Sequence, residues 1–196
     1  MIDDTTIVNN WRSALMRLFQ TPDFGPPLKE ASLEGRLEDW TRTLTATVVQ
    51  ACRETGWEAA AKGHKSKRLP QSQHEYLSLD VMAFPTGECR WCFPTAIMEL
   101  ENSEDDDRIA YSLWKVLCVR VGLRIVFCYR KEPRSGPALI SFLKDEVIAA
   151  MSIEERETLP GETVVVVGSR AEAETFPYGF FNWWVLDKNL GRFQLL

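Results

Sequence analysis

Hydrophobic residues recur along the chain with two different periods, and the points where the period changes divide it into elements. Over residues 5–19, Ile7, Trp11, Leu15 and Leu18 follow helical spacing behind an acidic, Thr-containing start. This predicts an amphipathic helix, ended by Thr21–Pro27. From Ser32 to Cys52, the residues Leu33, Leu37, Trp40, Leu44 and Val48 recur every three to four positions, predicting one long helix that stops at Gly56. Lys62–Arg68 (KGHKSKR), closed by Pro70, is polar and aperiodic and reads as a solvated loop.

The period then falls to two. Across residues 75–84 (EYLSLDVMAF), Leu77, Leu79 and Val81 fall on one face of a predicted strand, and Tyr76, Ser78, Asp80 and Met82 on the other. The Pro85-Thr86-Gly87 turn leads towards a neighbouring strand from about Thr95 to Glu101. Ser103 followed by Glu104, Asp105, Asp106 and Asp107 marks a helix start, with Ser103 as N-cap and acids opposing the positive helix end, and that helix runs to about Arg120. Leu123–Tyr129 is apolar almost throughout, as in a strand covered on both faces, so strand, helix and strand form a βαβ unit. A helix over Leu139–Met151, a buried strand at Thr163–Val167 and a hairpin of Phe180–Leu186 with Phe193–Leu196 complete the chain. The expectation is a single α/β domain over residues 1–196, with a mixed central sheet, flanking helices and two N-terminal helices.

Composition narrows the function classes. Hydrophobic residues make up 45% of the chain and include seven Trp, enough for a packed core and incompatible with wholesale disorder. A formal net charge of −5 argues against a protein that holds nucleic acid by bulk electrostatics, so any such contact must be local. No window resembles a membrane span, and the acidic MIDDTT start is unlike a basic secretory leader, so a cytoplasmic protein is expected. Five cysteines are an odd number and fit reduced thiols. Cys89 and Cys92 have the C-x-x-C spacing of half a zinc site, but only two histidines, His64 and His74, are present to complete it.

Three acids stand out. Asp80 lies in an apolar strand, while Glu99 and Glu101, two residues apart on the next strand, point to one face, so all three are expected to converge. Burying carboxylates is unfavourable unless they are paired or bind a cation, and a hard divalent ion, Mg²⁺ or Mn²⁺, is the simplest compensation. The structural alternative is pairing with Lys or Arg. Asn102, which follows this segment, reads as a loop residue at the strand end or as one orienting a ligand.

This arrangement resembles the PD-(D/E)xK, or restriction endonuclease-like, nuclease superfamily. The matching parts are Asp80 in YLSLD, Glu99-Leu100-Glu101 in AIMELENS, the helix from Glu104 and the strand LRIVFCY, covering roughly residues 30–130. The run MELENS before a helix containing WKVL is also similar to uncharacterised microbial members carrying an E-x-E-N triplet. The resemblance implies an α-β-β-β-α-β core and Mg²⁺- or Mn²⁺-dependent phosphodiester hydrolysis, on DNA more than RNA, with Asp80, Glu99 and Glu101 as metal ligands. Glu101 stands where the triplet usually has lysine. Some members use Glu there, and others move the lysine to the following helix, where Lys115 is the candidate. Helical geometry places Lys115 on the flank of the buried stripe Ile109, Leu113, Leu117 and Val121, at the sheet edge or facing solvent.

Phosphate-facing cations are sought in the loop 62–68 and in Arg124, Arg130, Lys131 and Arg134, whose other reading is solvated surface. Phe180, Phe181, Trp183 and Trp184 crowd one strand. One face packs into the core, and the other is a candidate surface for a protein partner or homodimer. A nuclease fold that has lost its chemistry and binds protein through this hairpin is therefore the competing expectation.

Overall fold

The computed structural model describes residues 4–87 and 89–196, with side chains from Ile7 onwards. The first three residues of the acidic start, and Glu88, lie outside the described residues. A seven-stranded mixed sheet has the same order in space as in the chain: β1 (Trp57–Ala61), β2 (Val81–Pro85), β3 (Ala96–Leu100), β4 (Leu123–Arg130), β5 (Glu162–Ser169), β6 (Phe181–Asp187) and β7 (Arg192–Leu195). Strands β1 to β3 form an antiparallel meander, β3 to β5 are parallel, and β5 to β7 are antiparallel again.

The two parallel steps need crossovers. Helix α4 (Asp106–Leu117) supplies the first; the second is α5 (Ser135–Leu143), a π-helical turn (Lys144–Ile148) and α6 (Ile153–Glu157). Both run in the same direction across the sheet, and with one preferred crossover hand both must lie on the same face. The opposite face is covered by α1 (Asp4–Leu18), α2 (Gly25–Leu33) and α3 (Leu37–Glu54).

A sheet covered on both sides needs apolar residues at every strand position, and β4 shows the consequence. Leu123, Ile125, Phe127 and Tyr129 enter the core under α1–α3, while Val126 and Cys128 enter the core under α4 and α5. Trp11 of α1 packs edge-on against both Phe127 and Trp183, each at 6.3 Å between ring centroids. Trp40 of α3 donates its Nε1–H to the Tyr129 hydroxyl at 2.9 Å, pairing two polar atoms that would otherwise be buried alone.

Several expectations from the sequence are corrected. The long helix expected over residues 32–52 is two helices, making three before the sheet. Gly35, at φ +68°, breaks the chain between α2 and α3, and Leu33 and Leu37 beside the break are 49% and 46% exposed rather than buried. Pro26 and Pro27, read as a terminator, instead open α2 in its first turn, where a missing N–H leaves no helical bond unmade. Strand β1 went unpredicted, since Trp57–Ala61 is mostly alanine and has no alternation. The loop 62–68 is not simply solvated: fully buried Ser66 donates to Glu58 Oε1 at 2.7 Å, and Arg68 pairs with Glu58 at 3.1 Å.

Arg124 and Arg130 are also buried, with 0% and 9% relative exposure, so neither is a free surface cation. Nor is the aromatic strand of the C-terminal hairpin a free surface. Phe180, Phe181 and Trp183 are buried under α1–α3, and Trp184 is half-buried on the opposite face, so both faces of β6 pack internally. Among the described residues no helix is long and apolar enough to cross a membrane.

Candidate active site

The site forms where β2 and β3 begin to separate. The expected strand over 75–84 starts only at Val81, and residues 75–80 are a turn. Leu77 and Ser78 both adopt left-handed backbone, at φ +56° and +54°, a conformation costly for residues with a Cβ. Leu77 is consequently 72% exposed instead of lying on a buried face. The turn brings Asp80 to the end of the β2–β3 ladder. There, Asp80 Oδ2 accepts the backbone N–H of Leu100 at 2.7 Å, and its own N–H approaches Glu99 Oε1 at 3.4 Å.

Glu99 occupies an inward position of β3, on the face covered by α4, and is only 4% exposed. Its partner comes from the crossover helix. Lys115, in the last turn of α4, places Nζ 2.7 Å from Glu99 Oε2 and donates to the Ser78 carbonyl at 2.8 Å. Lys115 therefore turns inward to the end of β3, an inner strand of the sheet, and does not face solvent. The strained turn thus presents a carbonyl to the lysine and a carboxylate to the strand end.

Glu101 lies one residue beyond β3, where the strict alternation of a strand no longer holds. Its Oε1 accepts the N–H of Ser103 at 2.7 Å, and it makes no hydrogen bond with Asp80 or Glu99. Among the described residues no three His, Cys, Asp or Glu side chains form a group arranged to hold a metal, and this includes the Cys89–Cys92 segment. The chain brings together an Asp80–Glu99 pair with a lysine rather than three converging acids. Asn102 Nδ2 donates to Thr41 Oγ1 at 2.8 Å, tying the end of β3 to α3. The N-cap of α4 is Asp105, not Ser103: its side chain accepts from the N–H groups of Asp107 and Arg108, and Arg130 pairs with Asp106 in the first turn.

Electrostatics distinguish the two acids from ordinary surface carboxylates. Burial raises the Glu99 carboxyl from 4.5 to about 7, outweighing the lowering by Lys115, and the nearby Asp80 charge adds to the rise. Asp80 is raised too, first by burial and further by Glu75 and Glu101, against lowering by the Leu100 N–H and Lys115. Two desolvated carboxyls are therefore held close to one another with one ammonium between them and the Ser78 carbonyl.

A folded-state value above the unfolded one means that the native protein holds this proton more tightly. The stability it confers is fully present below the unfolded value near 4.5 and is lost as pH rises through about 7. In metal-free buffer, urea midpoints are expected to show wild type losing about 3 kcal/mol more between pH 4 and pH 8 than Glu99→Gln does, following the 1.36 kcal/mol per pKa unit. Parallel pH dependence in the two proteins would remove Glu99 as the titrating group.

Donor chemistry suits a hard cation. Mg²⁺ is commonly held by one or two carboxylates, with water and substrate phosphate completing its shell, so Asp80 and Glu99 are the side chains here that could hold one. Comparison with protein-family models, curated proteins and solved structures gives no match for this chain. Asp80, Glu99 and Lys115 each stand out in the sequence, whereas the Ser78 carbonyl and two exposed rings on α4, Tyr111 and Trp114, do not. The signal for the rings is their spacing: Tyr111 lies four residues before Lys115 and three before Trp114, which makes it a surface neighbour of both on the helix.

Proposed function

We propose that this protein is a divalent-metal-dependent nuclease of restriction endonuclease-like build, hydrolysing phosphodiester bonds in DNA more readily than in RNA. The observation that carries this reading is the contact between Lys115 Nζ and Glu99 Oε2, which supports a lysine from the crossover helix standing in for the one that the Glu99-Leu100-Glu101 triplet lacks. Support also comes from chain order, since residues 37–130 run α3, β1, β2, β3, α4, β4, an α-β-β-β-α-β series.

In this reading Asp80 and Glu99 hold Mg²⁺ or Mn²⁺. When bound, such an ion lowers the pKa of coordinated water and offsets charge on the phosphate. Lys115 contributes a fixed cation whose Nζ–H groups can be donated to a phosphate oxygen or to the attacking water, and its contact with the Ser78 carbonyl holds it in place. Glu101 lies at the margin, where its charge makes Asp80 harder to ionise and one oxygen is bonded to Ser103 N–H.

The test is cleavage of plasmid and of single- and double-stranded oligonucleotides with Mg²⁺, with Mn²⁺ and with chelator, alongside calorimetric metal titration. Metal-dependent cleavage that chelation stops is expected. No cleavage with either ion, together with no metal binding, would leave the lysine–glutamate contact as a structural ion pair and overturn the reading.

A further inference from the structure

The outer face of α4 carries two aromatic rings that neither core uses. Tyr111 is 59% exposed and Trp114 55%, while the helix buries Ile109, Ser112, Leu113 and Val116 on its inner side. The two rings lie nearly parallel, with centroids 6.0 Å apart and planes at 23°. Lys115 Nζ lies 5.9 Å from the Tyr111 ring centroid while paired with Glu99, so the aromatic pair directly adjoins the candidate site. On its other side, Trp114 borders a groove of about 690 Å³ whose lining includes Arg120 and Met151. Arg108 and Arg120, both exposed, precede and follow the rings along the chain.

We infer that Tyr111 and Trp114 form a stacking platform for unpaired bases, so that the strand presented to the site is single-stranded nucleic acid. This rests on the nuclease reading for the identity of the adjoining site. Its physical basis is the accessibility of base faces. In a duplex each face is covered by the neighbouring base pair, whereas an unpaired base can lie on an exposed ring and continue the stack that Tyr111 and Trp114 begin.

The surroundings fit that occupant. Single-strand grooves combine aromatic faces for bases with Lys or Arg for the backbone, and here Arg108, Lys115 and Arg120 accompany the rings. A chain of net charge −5 has little general attraction for phosphates, and acids at Glu104–Asp107 oppose it further. Stacking must then supply a large share of the affinity, and such binding is tolerant of base sequence because every base has a π-face.

The test is fluorescence anisotropy of a labelled oligothymidine and of a hairpin duplex of equal length, in chelator so that nothing is cut. Oligothymidine is expected to bind roughly tenfold or more tightly than the duplex, and Tyr111→Leu and Trp114→Leu are each expected to weaken it by roughly 5- to 100-fold. Tyr111→Phe, which keeps the ring, should retain the affinity. Equal binding of duplex and single strand, or unchanged oligothymidine binding in both Leu variants, would overturn the platform. Because this measurement reads binding alone, failure of the wild type to cleave would overturn the nuclease reading separately. Cleavage of duplex by Tyr111→Leu at the wild-type rate, with single strand no better a substrate, would overturn the platform and leave the nuclease reading standing.

Discussion

Lys115→Ala is expected to lower cleavage by roughly 10²-fold or more, the scale lost with a positioned acid–base or charge-stabilising group, without weakening metal binding. The second half follows from the pairing: Lys115 occupies Glu99 Oε2, so its removal frees a carboxylate oxygen. It also removes the ammonium that lowers the Glu99 pKa, which favours the protonated acid when no metal is present. Metal affinity should therefore match the wild type at alkaline pH, where Glu99 is ionised in both proteins, and should begin to fall at a higher pH than in the wild type. Asp80→Ala differs in kind. It deletes a proposed ligand and the acceptor for the Leu100 N–H, so cleavage should be lost and metal binding weakened together. Glu101→Ala is expected to alter cleavage little. The opposite pattern, a nearly silent Lys115→Ala with Glu101→Ala losing both activity and metal, would transfer the role to Glu101.

The parts of this site that were legible in the sequence are those fixed by regular periods. Glu99 falls on a strand in both sequence and structure because Thr95–Glu101 is preceded by a turn and followed by a strong helix start. The β3-α4-β4 crossover followed from the apolar run at Leu123–Tyr129. What escaped is set by irregular backbone. The alternation from Tyr76 to Phe84 looked like one strand, yet Leu77 and Ser78 turn left-handed, and no residue type there signals it, since glycine or asparagine is the usual marker of such backbone. Glu101 lies one residue past the last strand position, and one of its oxygens accepts the Ser103 N–H instead of bonding to Asp80 or Glu99, a local turn contact that the period of two does not report. Lys115 had two helical-wheel outcomes, and only tertiary packing of α4 against β3 chose between them. Arg124 escapes the sequence for a different reason: charge predicts exposure on average, and the compensation that allows burial here comes from carbonyls, which leave no mark in the sequence.

That compensation makes Arg124 the strongest stability prediction. On β4 it points under the C-terminal end of α4, fully buried, with Nε donating to the Val116 carbonyl at 3.0 Å and the Val119 carbonyl at 3.1 Å. Nη2 donates to Val119 O and Nη1 to Pro160 O, each at 2.7 Å. Burial lowers its pKa to about 10, which still leaves the guanidinium charged at neutral pH. The carbonyls at the end of α4 carry the negative end of the helix dipole, so the cation is held by oriented backbone rather than by a carboxylate. One side chain thereby joins the first crossover helix to the loop before β5. Arg124→Ala should cost about 3–5 kcal/mol in urea unfolding, combining a large-to-small cavity with buried carbonyls left unpaired. Arg124→Met separates those terms: it keeps most of the volume and removes the charge, so relief of the desolvated cation offsets part of the loss, and about 1–3 kcal/mol should remain from the carbonyls. Arg124→Lys, with a single ammonium in place of the planar fork, should fall between wild type and Met because one centre cannot reach all three carbonyls. If Met is as stable as wild type, water from the adjoining groove replaces the guanidinium at these carbonyls, and the arginine is then a filler of space rather than the tie between α4 and β5.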